Sequence, residues 1–124
     1  MIRRRKQLAV SLLSGAATVF LLLAMEGCSR LSREPVRIDV TARKYRFEPA
    51  EIRVRHGSLV ELHITSLDVQ HGFDIPELGI KEAIPKGGTA VFRFKADRRG
   101  EFRIACSIVC GPGHDDMHGR LIVE

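Results

Sequence analysis

The sequence predicts an all-β sandwich or barrel with Greek-key connections, preceded by one hydrophobic N-terminal helix. Three observations carry this expectation. Beyond residue 35, short segments alternate apolar and polar residues with a period of two. Turn-forming residues separate these segments at short intervals, and no window of the region has a helical period. Many short strands with regular spacing bury their apolar faces by packing two sheets or closing one. At 124 residues the chain has room for one domain whose core needs no disulfide framework.

The N-terminal element comes first. Arg3, Arg4, Arg5 and Lys6 stand directly before LAVSLLSGAATVFLLLAM, an uncharged run from Leu8 to Met25. As a helix this run is roughly 27 Å long, near the lower limit for crossing a bilayer. Basic residues ahead of it keep the N-terminus cytoplasmic and direct the rest of the chain to the outer face. In MEGCS, small Gly27 precedes Cys28 at the end of the apolar run, making Cys28 a candidate for lipidation after cleavage. Residues 1–28 are therefore a signal, a lipoprotein signal or an uncleaved anchor. Residues 29–35, SRLSREP, form a polar linker ended by Pro35, and 36–124 form the domain.

The net charge of +5 belongs mostly to this N-terminus. Four of the 20 basic residues and one of the 15 acidic ones precede Ser29, leaving 16 against 14 in the remainder. Such a balance gives nucleic-acid binding little support.

Along the domain, Val36, Ile38 and Val40 alternate with Arg37 and Asp39, and Ile52 and Val54 with Arg53 and Arg55. Val60, Leu62 and Ile64 alternate with Glu61 and His63, then Ala90, Phe92 and Phe94 with Val91 and Arg93. Phe102 and Ile104 alternate with Glu101 and Arg103, and a last strand runs from Arg120 to Val123. Glu48-Pro49, His56-Gly57, Pro85 to Gly88 and Arg99-Gly100 supply the turns between them. Phe47, Phe92, Phe94 and Phe102 occupy inward positions, whereas His63 is expected to be exposed.

The chemistry concentrates in CSIVCGPGHDDM, Cys106 to Met117, which holds two of the three cysteines. Four readings compete there. A Cys106–Cys110 disulfide suits an oxidising compartment, but closes a very small ring and leaves His114 and Met117 without a role. Tetrahedral zinc would use both cysteines, His114 and an upstream histidine, yet has no use for Met117. Copper uses more of the set, because thiolate, imidazole and a weak thioether are the donors of copper electron-transfer sites. Plain packing is the fourth. One cysteine, two histidines and a methionine suffice for a single copper, so a second cysteine permits two thiolates to bridge two ions.

The run from Asp68 to Glu124 resembles the copper A domain of cytochrome c oxidase subunit II. The resemblance lies in DVQHGFDIPELGIK and in FKADRRGEFRIACSIVCGPGHDDMHGRLIVE, and in the pattern H…C-x3-C-x3-H-x2-M. It implies a cupredoxin fold and a binuclear copper centre. In that centre Cys106 and Cys110 would bridge the ions, and His71 and His114 would each cap one. Met117 would bind one ion weakly and the backbone carbonyl of Ile108 the other. It further implies one-electron transfer from a cytochrome c, through the copper pair, to the haem of a haem-copper oxidase catalytic subunit. Such a chain is a membrane-tethered electron-entry subunit and no catalyst by itself.

Ile108 departs from the family pattern, which often has a glutamate there that also contacts a magnesium site. The single N-terminal segment resembles the small one-anchor type of subunit II, and the chain has no tryptophan to serve as an aromatic entry platform. The HGF and HGRLIVE fragments also resemble the copper A domain of nitrous oxide reductase. Asp115 and Asp116, beside His114, are candidates for an acidic docking edge toward a basic partner. His56 and His118 fall outside the ligand pattern. A copper storage or delivery protein, and a free-standing cupredoxin carrier, are the alternative functions.

Overall fold

Alternation becomes packing in the strand Leu59–Ser66, where every second side chain (Val60, Leu62, Ile64 and Ser66) is buried. The computed structural model describes residues 34–124, so the predicted anchor or signal, Cys28 and most of the linker lie outside the described residues. Nine strands follow in order: β1 Val36–Arg43, β2 Arg46–Glu48, β3 Glu51–Val54, β4 Leu59–Ser66, β5 His71–Ile75, β6 Ile80–Ile84, β7 Thr89–Lys95, β8 Gly100–Ala105 and β9 His118–Val123. Two short 3-10 turns, Pro76–Leu78 and His114–Asp116, interrupt them. Among the described residues no helix is long and apolar enough to cross a membrane.

The strands form two sheets, ordered β2-β1-β4-β7 and β3-β9-β8-β5-β6. Two pairs are parallel, β1 with β4 and β3 with β9, and a parallel pair cannot be joined by a hairpin. The chain therefore leaves one sheet for the other between partners, which laces the layers into a sandwich. Val40, Phe47, Leu62, Ile64, Phe73, Ile84, Ile104 and Leu121 fill the space between the sheets. Phe73 is central to this core, edge-on to Phe47 at 5.5 Å and tilted against Phe92 at 5.9 Å.

The strand expectations hold for β1, β3, β4, β7, β8 and β9, with three refinements. Val36 is 49% exposed, because β1 enters the core only from Val40 onward. Phe92 and Phe94 are half-buried, while Phe47 and Phe102 are buried as expected. His63 is half-buried and not exposed: it lies between Asp39 and Val91 across the sheet and its Nε2 meets Glu61 Oε1 at 2.6 Å. β2, β5 and β6 had no counterpart in the pattern. In β5, His71, Gly72 and Phe73 are buried in succession, so no alternation marks it.

Candidate metal centre

Two loops meet at one end of the sandwich, Leu67–Gln70 between β4 and β5 and Cys106–Met117 between β8 and β9. The longer loop is closed at its base like an extension of the β8–β9 hairpin, for the Cys106 N–H donates to the Met117 carbonyl at 3.1 Å. Inside it, the Met117 N–H donates to the His114 carbonyl and the His114 N–H to that of Gly111, so the chain turns back tightly. Gly111 has a φ of 147°, a conformation that favours glycine.

This closure brings the predicted residues together. Ligand atoms of His71, Cys106 and Cys110 all lie within 4.8 Å of one another, and all three residues are buried. The Cys110 sulfur is the hub, at 3.9 Å from the Cys106 sulfur, from His114 Nδ1 and from the Met117 thioether. Both cysteines are free thiols. The Ile108 carbonyl lies 3.1 Å from the Cys106 sulfur, and the Gly72 N–H points at the same sulfur at 3.4 Å. Met117 is buried to 1% exposure, so its thioether faces the core side of the loop, while His114 is half-buried. A groove of about 340 Å³, lined by residues including Arg103, Glu77, His114, Asp115 and Met117, opens beside it. Asp115, which lines this groove, is exposed, as are Asp116 and His118, and His118 is not among the clustered ligand atoms.

Asp68, which pattern reading did not single out, lies against this cluster. Its Oδ1 meets His71 Nε2 at 2.6 Å, and its carboxylate also accepts the N–H groups of Lys44 and Val69, each at 2.7 Å. Burial pushes this carboxyl up, but the Lys44 N–H, the His71 ring and the Val69 N–H outweigh it and hold it down at about 2. A carboxylate at Nε2 keeps the proton on that nitrogen and leaves Nδ1 with a free lone pair. His71 Nδ1 is indeed buried with no hydrogen-bond partner. An orphaned buried nitrogen beside two buried sulfurs is costly unless a cation completes it. Burial, followed by the neighbouring Cys106, pushes the Cys110 thiol up to about 11 in the metal-free protein. A bound cation reverses that preference, since the thiolate is the ligand. Imidazole, two thiols and a thioether form a soft donor set that fits copper better than a hard cation.

The cupredoxin-like domain family matches residues 15–123. Cytochrome c oxidase subunit 2 of Thermus thermophilus is 35% identical over 87 residues, 70% of this chain and 64% of that protein. The chain thus spans less than two thirds of that relative's length. A chain of a haem-copper terminal oxidase dimer superposes with a TM-score of 0.66 at 27% identity, covering 87% of this chain and 90% of that one. The periplasmic domain of cytochrome oxidase subunit II from Bradyrhizobium japonicum shares the fold with a TM-score of 0.65 at 22% identity, over 72% of this chain and 83% of its own. With an all-β sandwich of the same build and a buried histidine–dithiol cluster at its loop end, the chain belongs to the cupredoxin-like domain family.

Proposed function

We propose that the domain is an electron-transfer module that holds a binuclear copper A centre and serves as the electron-entry subunit II of a haem-copper oxidase. One observation carries the reading: the unpartnered, buried Nδ1 of His71 stands with two free buried thiols within 4.8 Å. A second thiol within reach of both histidines is what separates two-ion binding from a one-ion blue site.

In this reading Cys106, Cys110, His71 and His114 would hold the copper ions, with Met117 and the Ile108 carbonyl as weaker donors. When bound, the copper pair supplies one-electron redox chemistry. The chain's own residues supply the rest. Asp68 holds the His71 ring in one tautomer and orientation. The Gly72 N–H stabilises negative charge on the Cys106 sulfur. Rigid strands on both sides of the loop limit ligand movement between redox states, which keeps the reorganisation small. Burial of Cys106, Cys110 and Met117 excludes water and competing anions from the metal.

Residues 1–28 act as the membrane tether, through an anchor or a lipid on Cys28, and place residues 36–124 on the outer face. A cytochrome c or similar carrier is the donor, with Asp115 and Asp116 on the docking edge, and the catalytic haem-copper subunit is the acceptor. The test is copper loading of the full chain in detergent. Two coppers per chain, a purple colour and an electron spin shared over two nuclei are expected. A blue protein with a single copper overturns the binuclear reading, and zinc retention with no copper spectrum overturns electron transfer.

A further inference from the structure

The chain contains one tyrosine and no tryptophan, and that tyrosine lies against the ligand loop. Tyr45 stands in the turn between β1 and β2, half-buried. A methyl group added at Gly113 would fall 2.5 Å from its Cδ2, 2.7 Å from Cγ and 2.8 Å from Cε2. One added at Gly111 would fall 2.5 Å from its Oη. The ring therefore covers the backbone between Cys110 and His114, in contact distance of both glycines that flank Pro112.

The two glycines have different reasons. Gly111 needs to be glycine for its own φ of 147°. Gly113 has φ −95° and ψ 16°, which any residue can adopt, so nothing in its own backbone demands glycine. The nearest atoms to its missing side chain all belong to Tyr45. The requirement at Gly113 is imposed by the tyrosine ring.

The residue before Tyr45 touches the other arm of the site. The Lys44 N–H donates to Asp68 Oδ2 at 2.7 Å, and Asp68 Oδ1 meets His71 Nε2 at 2.6 Å. Two consecutive residues thus bear on both halves of the centre, Lys44 on the His71 arm and Tyr45 on the Cys110–His114 arm. We propose that the Lys44–Tyr45 turn is a positioning element of the metal centre, and that the Tyr45 ring is the restraint that fixes the Cys110–His114 segment. A segment with two glycines has wide backbone freedom, and an aromatic ring removes it at small entropic cost because it has only two side-chain torsions. Ligands need to be held within about 0.5 Å of their productive positions, and this contact provides that hold. The inference rests on the copper reading for its consequence, though the restraint itself exists without metal.

The test uses four variants of the full chain: Tyr45→Phe, Tyr45→Ala, Gly113→Ala and the double variant Tyr45→Ala/Gly113→Ala. Copper retention against a competing chelator, the copper spin-resonance spectrum, and the alkylation rate of Cys106 and Cys110 in metal-free protein are measured for each. Tyr45→Phe is expected to match the unmodified chain, since the ring does the work. Tyr45→Ala and Gly113→Ala are each expected to weaken copper retention about 10-fold, the scale of losing a group that orients a ligand, and to speed alkylation. The double variant is expected to be no worse than Tyr45→Ala alone, because the second methyl enters space the ring has left. If Gly113→Ala alone fails to fold, recovery of a cooperative melt in the double variant makes the same point. Additive losses in the double variant, or a Tyr45→Ala protein identical to the unmodified chain in alkylation, overturn the proposal. Failure of the unmodified chain to bind copper would overturn the copper reading alone, since the alkylation comparison reads the restraint without metal.

Discussion

The carboxylate of Asp68 meets Nε2 of His71 at 2.6 Å, and this contact leaves Nδ1 as the buried ring nitrogen with no partner. It ties a buried imidazole to a carboxylate that also anchors the Lys44 and Val69 N–H groups. Replacing Asp68 with Asn keeps the shape but lets the amide present either end to the ring. Copper affinity of Asp68→Asn is expected to fall by about 10- to 100-fold with the fold intact. Chelator competition alongside a circular dichroism spectrum checks this, and unchanged affinity would show that the contact does not orient the ligand.

Met117 is buried and its sulfur lies 3.9 Å from that of Cys110. Leucine fills similar space without a thioether, so Met117→Leu separates packing from ligation. Its unfolding free energy in the metal-free state should change by less than about 1.5 kcal/mol. The absorption spectrum and reduction potential of the copper-loaded protein should both move. A spectrum identical to that of the unmodified chain would assign Met117 to the core only.

Leu62 is fully buried at the centre of β4, between strands β1 and β7. Leu62→Ala leaves a cavity that the paired strands cannot readily close, so a loss of about 2–5 kcal/mol is expected in urea unfolding. The His71–Cys106–Cys110 cluster is at the loop end, so the copper spectrum of the surviving folded protein should be unchanged.

On the outer face of β4, Glu61 accepts from His63 at 2.6 Å and from Arg93 at 2.6 Å. The His63 contact first, then Arg93, hold its carboxyl below the ordinary 4.5 despite some desolvation. A carboxyl depressed in the folded state contributes stability that is present above its unfolded value and lost as pH falls through the folded one. Stability should therefore drop on acidification below about 4.5, and Glu61→Gln should make that drop shallower. Chemical denaturation of metal-free protein at a series of pH values measures it, and equal slopes for both proteins would remove Glu61 from the account.

Much of this molecule was legible from residue order alone. Leu62 and Ile104 announce their strands because each lies in a segment with one face buried and one wet, and a period of two records that difference. His71, Gly72 and Phe73 are buried in succession, so β5 carries no such record. β2 is three residues long, too short for a period to appear. His63 illustrates the opposite error: alternation placed it outward correctly, but cross-strand neighbours cover an outward side chain in a way no local pattern reports.

The sequence by itself determined the all-β class, the loop that gathers Cys106, Cys110, His114 and Met117, and the resemblance that added His71 to them. Those features are local, set by spacing within one segment or by a motif. Only the tertiary structure decided that Asp68 would hold His71, that Nδ1 would be left without a partner, and that Tyr45 would lie on Gly111 and Gly113. These relations join separate loops, and the loops are brought together by strands that cross between sheets before pairing. Tyr45 and Gly113 are 68 positions apart, and nothing short of the packed sandwich puts one against the other.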